Sequence, residues 1–243
     1  MLRAGLGVRM LATAARPHRL RMLLMGCPGS GKGTLSARIE QKYGVPIITA
    51  GDLLRWHTTH GTELGREAAE VIRSGKLMPD KTMMSLVGQK LDEMGDSDWI
   101  LDGFPRTSGQ ATLLNDMLHR EHRPLSLVVN LCVPEEVILQ RVLDRWTHIP
   151  NLSYNPPKTP GIDDITGEPL EKREDDNPET FRKRIESFHA KTEPMINYFR
   201  TLRAPSDPSQ PLLVDLAGRT SNEIWPKLQH TIESRFDYHR TSS

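Results

Sequence analysis

Residues 26–34, Gly-Cys-Pro-Gly-Ser-Gly-Lys-Gly-Thr, constrain this chain more than any other stretch. An apolar run, Met22-Leu23-Leu24-Met25, precedes them, and a helix-compatible segment, residues 35–42, follows. Strand, glycine-rich turn and helix together form the context in which such a loop holds a phosphate chain. Glycines let the turn wrap tightly, so that successive backbone N–H groups converge on anionic oxygens. The opening helix adds unpaired amides and the positive end of its dipole. Gly29, Ser30, Gly31, Gly33 and Thr34 are therefore expected along a triphosphate, with Lys32 bringing a mobile full charge to its outer phosphates.

One detail narrows the class. The position after Lys32 is Gly33, and the hydroxyl, Thr34, comes one step later. A hydroxyl directly after the lysine is the usual magnesium ligand of such loops. Its displacement points away from GTPases and motor ATPases and toward nucleotide kinases. The chain also has no Asn-Lys-x-Asp run of the kind that reads guanine in GTPase switches.

At 243 residues the chain fits one α/β domain with inserted lobes. Its 32 basic and 31 acidic residues leave a formal net charge of +1, which gives no argument for nucleic acid or an anionic membrane as partner. No apolar run approaches the ~18 residues of a membrane span. Cys27 and Cys132 offer neither a disulfide framework nor a four-ligand zinc site, and both read as buried, reduced thiols. The N-terminus differs in kind. Arg3, Arg9, Arg16, Arg19 and Arg21 lie among small and apolar residues, and no acid appears before Glu40. That composition reads as a mitochondrial presequence over residues 1–20, with a basic tail carrying no address as the alternative.

Short apolar runs bounded by turns read as buried strands of a parallel sheet: residues 21–25, 45–49, 99–101, 125–131 and 212–216. Helical patterns fall between or after them, at 35–42, 82–94, 108–119, 134–145 and 178–201. Such alternation implies a right-handed, doubly wound α/β core. Residues 50–78 are helical and charged with no strand, as an inserted lobe would be. Residues 146–176 are rich in Pro, Asn, Asp and Gly and read as a functional lid. Residues 204–211, with three prolines, are expected to form a surface loop.

At Asp102-Gly103-Phe104-Pro105-Arg106 the sequence resembles the adenylate kinase family. The phosphate loop, the run Gly51-Asp52-Leu53-Leu54-Arg55 and the run Gly161-Ile162-Asp163-Asp164-Ile165-Thr166-Gly167-Glu168-Pro169-Leu170 match that family too, in its order. The resemblance covers about residues 21–230. It implies a P-loop nucleoside monophosphate kinase: a core of residues 21–48, 79–144 and 177–243, an NMP-binding lobe at 49–78 and a lid at 145–176. The implied reaction is reversible phosphoryl transfer from a nucleoside triphosphate, with Mg²⁺, to AMP. Within the family, the lid, the Arg145-Trp146 pair and residues 217–226 are most similar to the mitochondrial branch that uses GTP. An ATP donor is the alternative, and a nucleotide-binding module without turnover is the alternative of another class. The resemblance further implies a protein of the mitochondrial matrix whose partners are GTP or ATP and AMP, and balanced charge with a closing-lobe design favours a monomer.

The same resemblance assigns roles residue by residue. Asp102 faces Mg²⁺ through water, Arg106 and Arg55 clamp the AMP phosphate, and Gln110 reads adenine. The strip Gly75-Lys76-Leu77-Met78 reads the adenine amino group through its backbone, and Gly103, Phe104 and Pro105 complete the wall. Ala50 stands where the family more often has Thr or Ser, which removes one hydroxyl contact to AMP. Arg141 stacks on the donor base, Arg145 reaches the donor phosphates, and Arg173 and Arg184 close on the phosphates. Ser153 and Tyr154 pack against the donor base, and the backbone of Gly218-Arg219-Thr220 contacts it. Asp175 and Asp176 pair with arginines to hold the lid. No cysteine lies in the lid, so no structural zinc is expected, and His148, Asp163 and Thr166 are the hydrogen-bonded substitute. The lid reaches Asn155-Pro156-Pro157 several residues earlier than in long-form members. Trp56 and His57 read as structural.

The chemistry agrees with such a residue set. The attacking group is an oxygen of the AMP phosphate, already ionised at neutral pH, so no general base is required. Positioning and charge compensation carry the transfer, and arginine suits them through its forked, always-charged donors.

Overall fold

A computed structural model of the chain describes residues 19–144, 146–148, 152–154, 158–164, 166–172, 176–236 and 238. Its frame is five parallel strands: β1 (Arg21–Gly26), β2 (Ile47–Thr49), β3 (Trp99–Asp102), β4 (Leu127–Cys132) and β9 (Leu213–Ala217). They lie side by side in the order β2-β3-β1-β4-β9. In the centre Leu23 pairs with Leu101 on one side and Val128 on the other. Successive residues point to opposite faces, and β1 is apolar on both because both faces are covered. Met22 and Leu24 join Leu35 and Ile39 of α1 (Lys32–Tyr43) and Ile224, Leu228 and Ile232 of α9 (Ser221–Arg235). Leu23 and Met25 face the other way, onto α4 (Asp80–Met94), α5 (Ser108–Arg120) and α8 (Glu193–Arg200).

Between β2 and α4 stand α2 (Ala50–Thr59) and α3 (Glu63–Ser74). They approach so closely that a Cβ on Gly65 would lie 2.0 Å from the carbonyl oxygen of His57. Thr62 caps α3 by accepting the Gly65 N–H at 2.9 Å, and His57 Nδ1 lies 3.0 Å from the same hydroxyl. His57 is thus structural, as expected. Trp56 is 54% exposed and stacks on the His60 ring at 4.1 Å.

The second excursion leaves from α6 (Glu135–Leu143) and returns through α7 (Pro178–Ser187). Its described part holds an antiparallel pair, β5 (Trp146–His148) with β6 (Leu152–Tyr154), and a bridge from Ile162 to Pro169. Asp163 is buried and accepts from the Thr166 N–H at 3.2 Å and the Thr166 hydroxyl at 2.7 Å. Two of the three residues expected to substitute for zinc therefore do bond each other. The His148 side chain lies outside the described residues.

Three expectations are corrected. The run 178–201 is not one helix. A π-helical turn, Phe188–Thr192, separates α7 from α8. Pro194 sits in the first turn of α8 and has no N–H to donate to Ala190, so the regular ladder cannot continue there. Residues 204–211 are not a loop but part of a hairpin, β7 (Arg203–Ala204) with β8 (Asp207–Pro211). Asp207 organises it by accepting from the Ser209 N–H at 2.9 Å and the Ser209 hydroxyl at 2.6 Å. Cys132 is exposed rather than buried, because it is the last residue of β4, whereas Cys27 is buried.

Leu20, one residue inside the expected N-terminal extension, is fully buried, and its N–H donates to Asp98 at 3.0 Å. Residues 1–18 of the presequence-like stretch lie outside the described residues. Among the described residues no helix is long and apolar enough to cross a membrane.

Candidate active site

The phosphate loop closes the gap between β1 and α1. The Ser30 N–H donates back to the Cys27 carbonyl at 3.0 Å, which folds the loop into a turn. Gly29 adopts φ +85°, and a Cβ there would lie 2.6 Å from Val142 Cγ2 and 2.8 Å from Ile138 Cγ2. The loop is thereby pressed against α6 as closely as a backbone allows. Cys27 shares a small apolar core with Ile138, Val142 and Phe181. Burial pushes its thiol up to about 12, against the opposing pull of Lys32.

Lys32 Nζ donates to the Gly26 carbonyl at 2.8 Å and the Cys27 carbonyl at 3.0 Å. Burial of this ammonium pushes it down to about 8, and Asp102 partly opposes the shift. Asp102 ends β3, paired in register with Leu24 of β1 and Thr49 of β2, and is buried. Burial pushes its carboxyl above the usual range, with Lys32 and Arg106 pulling it back. A buried carboxylate beside two cations at the carboxyl end of a parallel sheet is where such folds place ligands. The Ser30 hydroxyl, buried in the loop, has no hydrogen-bond partner among the described residues.

Across from the loop lies a cavity. Ala50 and Arg55 of α2, the strip Gly75, Lys76, Leu77 and Met78, then Gly103, Phe104, Arg106 and Gln110, and Arg184 of α7 all line it. The structure thus brings together eleven of the residues expected around AMP. Pro105 follows Phe104 through a cis peptide bond and is not in the lining. Arg173 lies outside the described residues. Arg106 is fixed at its backbone and at its guanidinium: its N–H donates to Gln110 Oε1 at 2.7 Å, and Nε donates to the Gly103 carbonyl at 2.7 Å. That commits the carbonyl end of the Gln110 amide to the loop, so only the NH₂ end is placed to meet a base. Arg55 Nε donates to Asp52 Oδ1 at 3.0 Å within the same helix, and the two side chains form an ion pair.

On the other side of the phosphate loop, Arg141 donates to the Arg219 carbonyl. The Thr220 hydroxyl caps α9 by accepting the Glu223 N–H at 3.1 Å and donates to Glu223 Oε1 at 3.0 Å. The Arg219 N–H also goes to Glu223, at 3.0 Å, so that carboxylate ties down the residue just before the cap. The Thr220 hydroxyl is therefore occupied by the helix, and much of the main chain beside it is engaged as well: the Gly218 N–H donates to the Cys132 carbonyl at 3.3 Å and the Thr220 carbonyl accepts the Ile224 N–H at 3.1 Å.

Residues 24–204 match the family profile described as "Adenylate kinase". The chain belongs to the adenylate kinase family. It is 43% identical over 227 residues to a Saccharomyces cerevisiae protein named "GTP:AMP phosphotransferase, mitochondrial", covering 89% of this chain and 94% of that one. A protein of the same name from S. cerevisiae strain S288c is 46% identical over 191 residues, 74% of this chain and 85% of its own. Another of that name, from Drosophila melanogaster, is 36% identical over 222 residues, 89% of this chain and 97% of its own. As a member of the adenylate kinase family, the chain is an enzyme, a nucleoside monophosphate kinase.

Several expected site residues of this adenylate kinase family member fall outside the described residues: Arg145, Arg173 and Asp175, and the side chains of Ser153 and Tyr154. Three apolar residues of the cavity lining, Val71, Ile72 and Met83, carried no motif. Their signal was the apolar spacing of α3 and α4, which reads equally well as ordinary core.

Proposed function

We propose that this enzyme transfers the γ-phosphoryl group of GTP reversibly to AMP, giving GDP and ADP. The observation that carries the reading is the pairing of two half-sites. Lys32 of the phosphate loop and buried Asp102 lie within electrostatic reach of Arg106, which lines the cavity together with Arg55 and Arg184. The names of the relatives support GTP as donor and AMP as acceptor.

Each half-site has a physical task. The loop amides and Lys32 hold the donor's β- and γ-phosphates, while Arg106 and Arg55 hold the acceptor phosphate in line with the γ-phosphorus. Arginines around the migrating group compensate the charge of a loose transition state, and no proton needs to be removed from the acceptor. Gln110 and the 75–78 strip set the acceptor base. Closure of residues 145–176 over the donor would bring Arg145 and Arg173 in and keep water out. Ala50 removes one hydroxyl contact, worth about 1 kcal/mol at most.

The residues fit Mg²⁺. Asp102 is an anionic oxygen donor set between Lys32 and Arg106, and a Cβ at Gly33 would meet nothing within 4 Å, which leaves room beside the loop. Asp102 would hold the ion through its water shell, and the ion when bound would neutralise charge on the β- and γ-phosphates. The site thus needs no hydroxyl at residue 33.

The relatives are named as mitochondrial. We assign the protein to the matrix, with core, acceptor lobe and lid divided at 49–78 and 145–176, acting as a monomer. A reporter fused to the N-terminal segment checks the compartment. A coupled assay with AMP and each triphosphate checks the donor, and GTP is expected to be the faster. An order-of-magnitude advantage for ATP would overturn the donor assignment and leave the family unchanged.

A further inference from the structure

We propose that Thr192 is a positioning residue for Arg106, and that the π-helical turn between α7 and α8 exists to place its hydroxyl there. The proposal rests on Arg106 being the acceptor clamp.

Four helical threonines bond to their own helix, whereas Thr180, in the first turn of α7, donates to the Arg73 carbonyl at 3.4 Å. Thr58, Thr59, Thr112 and Thr231 each donate to the carbonyl four residues earlier, at 2.8–3.1 Å. That is the ordinary fate of a threonine hydroxyl in a helix. Thr192 departs from it. Its hydroxyl donates at 2.9 Å to the carbonyl oxygen of Arg106, 86 positions away in sequence, and the residue is only 8% exposed. The carbonyl it would otherwise reach, that of Phe188, accepts the Glu193 N–H in the wide π ladder. The extra residue of the π turn swings Thr192 off its own helix and toward the β3–α5 loop. Such turns are rare and concentrate at functional positions.

The consequence falls on Arg106. With the bond from Thr192 its peptide is held from both sides, the N–H by Gln110 at 2.7 Å and the carbonyl by Thr192. The π turn is itself anchored. His189 Nε2 lies 2.7 Å from Glu135 in the first turn of α6, and Nδ1 lies 3.1 Å from Glu193. Phe188 packs against the cluster of Cys27, Ile138 and Val142, which is also the wall behind Gly29. One turn therefore touches the framework of the phosphate loop and pins the acceptor clamp. A shift of about 1 Å between two such groups is enough to slow a positioned reaction about a hundredfold.

The test compares Thr192→Val, Thr192→Ser and Arg106→Lys in the full chain, with AMP and GTP each varied. Thr192→Val keeps the shape and removes the donor. We expect its KM for AMP to rise about fivefold with the KM for GTP unchanged. Thr192→Ser should stay within about twofold of the parent, since it keeps the hydroxyl. An unchanged AMP KM in Thr192→Val, a parallel rise for GTP, or failure of Thr192→Ser to recover would overturn the proposal. Should Thr192→Val not fold, Thr192→Ala removes the hydroxyl without placing a methyl against the carbonyl, and carries the same comparison. Arg106→Lys separates the two layers. If it raises the AMP KM while Thr192→Val does not, the pin is wrong and the clamp stands. If it leaves the AMP KM unchanged, the clamp is wrong and the pin falls with it.

Discussion

Lys32 Nζ lies 2.8 Å from the carbonyl oxygen of Gly26, so the main chain of the loop holds the charge that a phosphate would take over. Two neutral carbonyls are weak partners for a buried ammonium, and burial holds it at about 8. A triphosphate would replace them with full negative charge and raise that value. We expect triphosphate binding to take up protons between about pH 8 and 9 and almost none near pH 6.5. Calorimetry in buffers of different ionisation enthalpy reads this directly, and Lys32→Met should abolish it. Stability follows the same group. The folded value lies below the ordinary 10.5, so between about 8 and 10.5 the unfolded chain binds more protons at Lys32. The Lys32 contribution to unfolding free energy therefore rises with pH across that window.

Gly29 and Gly33 separate fold from function within one loop. Gly29→Ala meets Val142 and Ile138 at a φ of +85°, and should destabilise the protein by about 3 kcal/mol, read as a lowered Tm. Gly33 is in the first turn of α1, and its added Cβ meets nothing within 4 Å beyond its own helix turn among the described residues. Gly33→Ala should leave the Tm unchanged or raise it slightly, by up to about 1 kcal/mol. Its cost should appear instead as a higher KM for the donor, because the free space lies where the phosphate chain runs.

Arg55 is engaged by Asp52, with side chains 37% and 45% exposed. An ion pair of that exposure contributes about 0–1 kcal/mol. Asp52→Asn should release Arg55 toward the acceptor phosphate and lower the KM for AMP by at most about fivefold, with little change in Tm. A raised AMP KM would show that Asp52 itself belongs to the acceptor site.

Motif residues were legible in the sequence because their chemistry leaves few options. A loop that must present amides to phosphate needs glycine at Gly29 and a cation at Lys32, and a clamp needs an arginine at Arg106. The parallel strands were legible because burial on both faces makes them continuously apolar, as in Met22-Leu23-Leu24-Met25. The π turn was not, because the apolar spacing runs through residues 178–201 without a break and only Pro194 marks it. Val71, Ile72 and Met83 were hidden because an apolar cavity wall and an apolar core carry the same pattern. The bond from Thr192 to Arg106 joins segments 86 positions apart, which no local spacing encodes. Cys132 was misplaced because the strand pattern gives the apolar run but not the point at which the sheet ends and exposure begins.

The central claim is direct transfer between two nucleotides held by the Lys32 loop and the Arg106 cavity. GTP radiolabelled at the γ-phosphorus, incubated with AMP, Mg²⁺ and the full chain, tests it most directly. The account predicts label in the β-phosphate of ADP, one for each AMP consumed, and none on the protein. Label released as inorganic phosphate, retained on the protein, or lost from GTP at the same rate without AMP would contradict it.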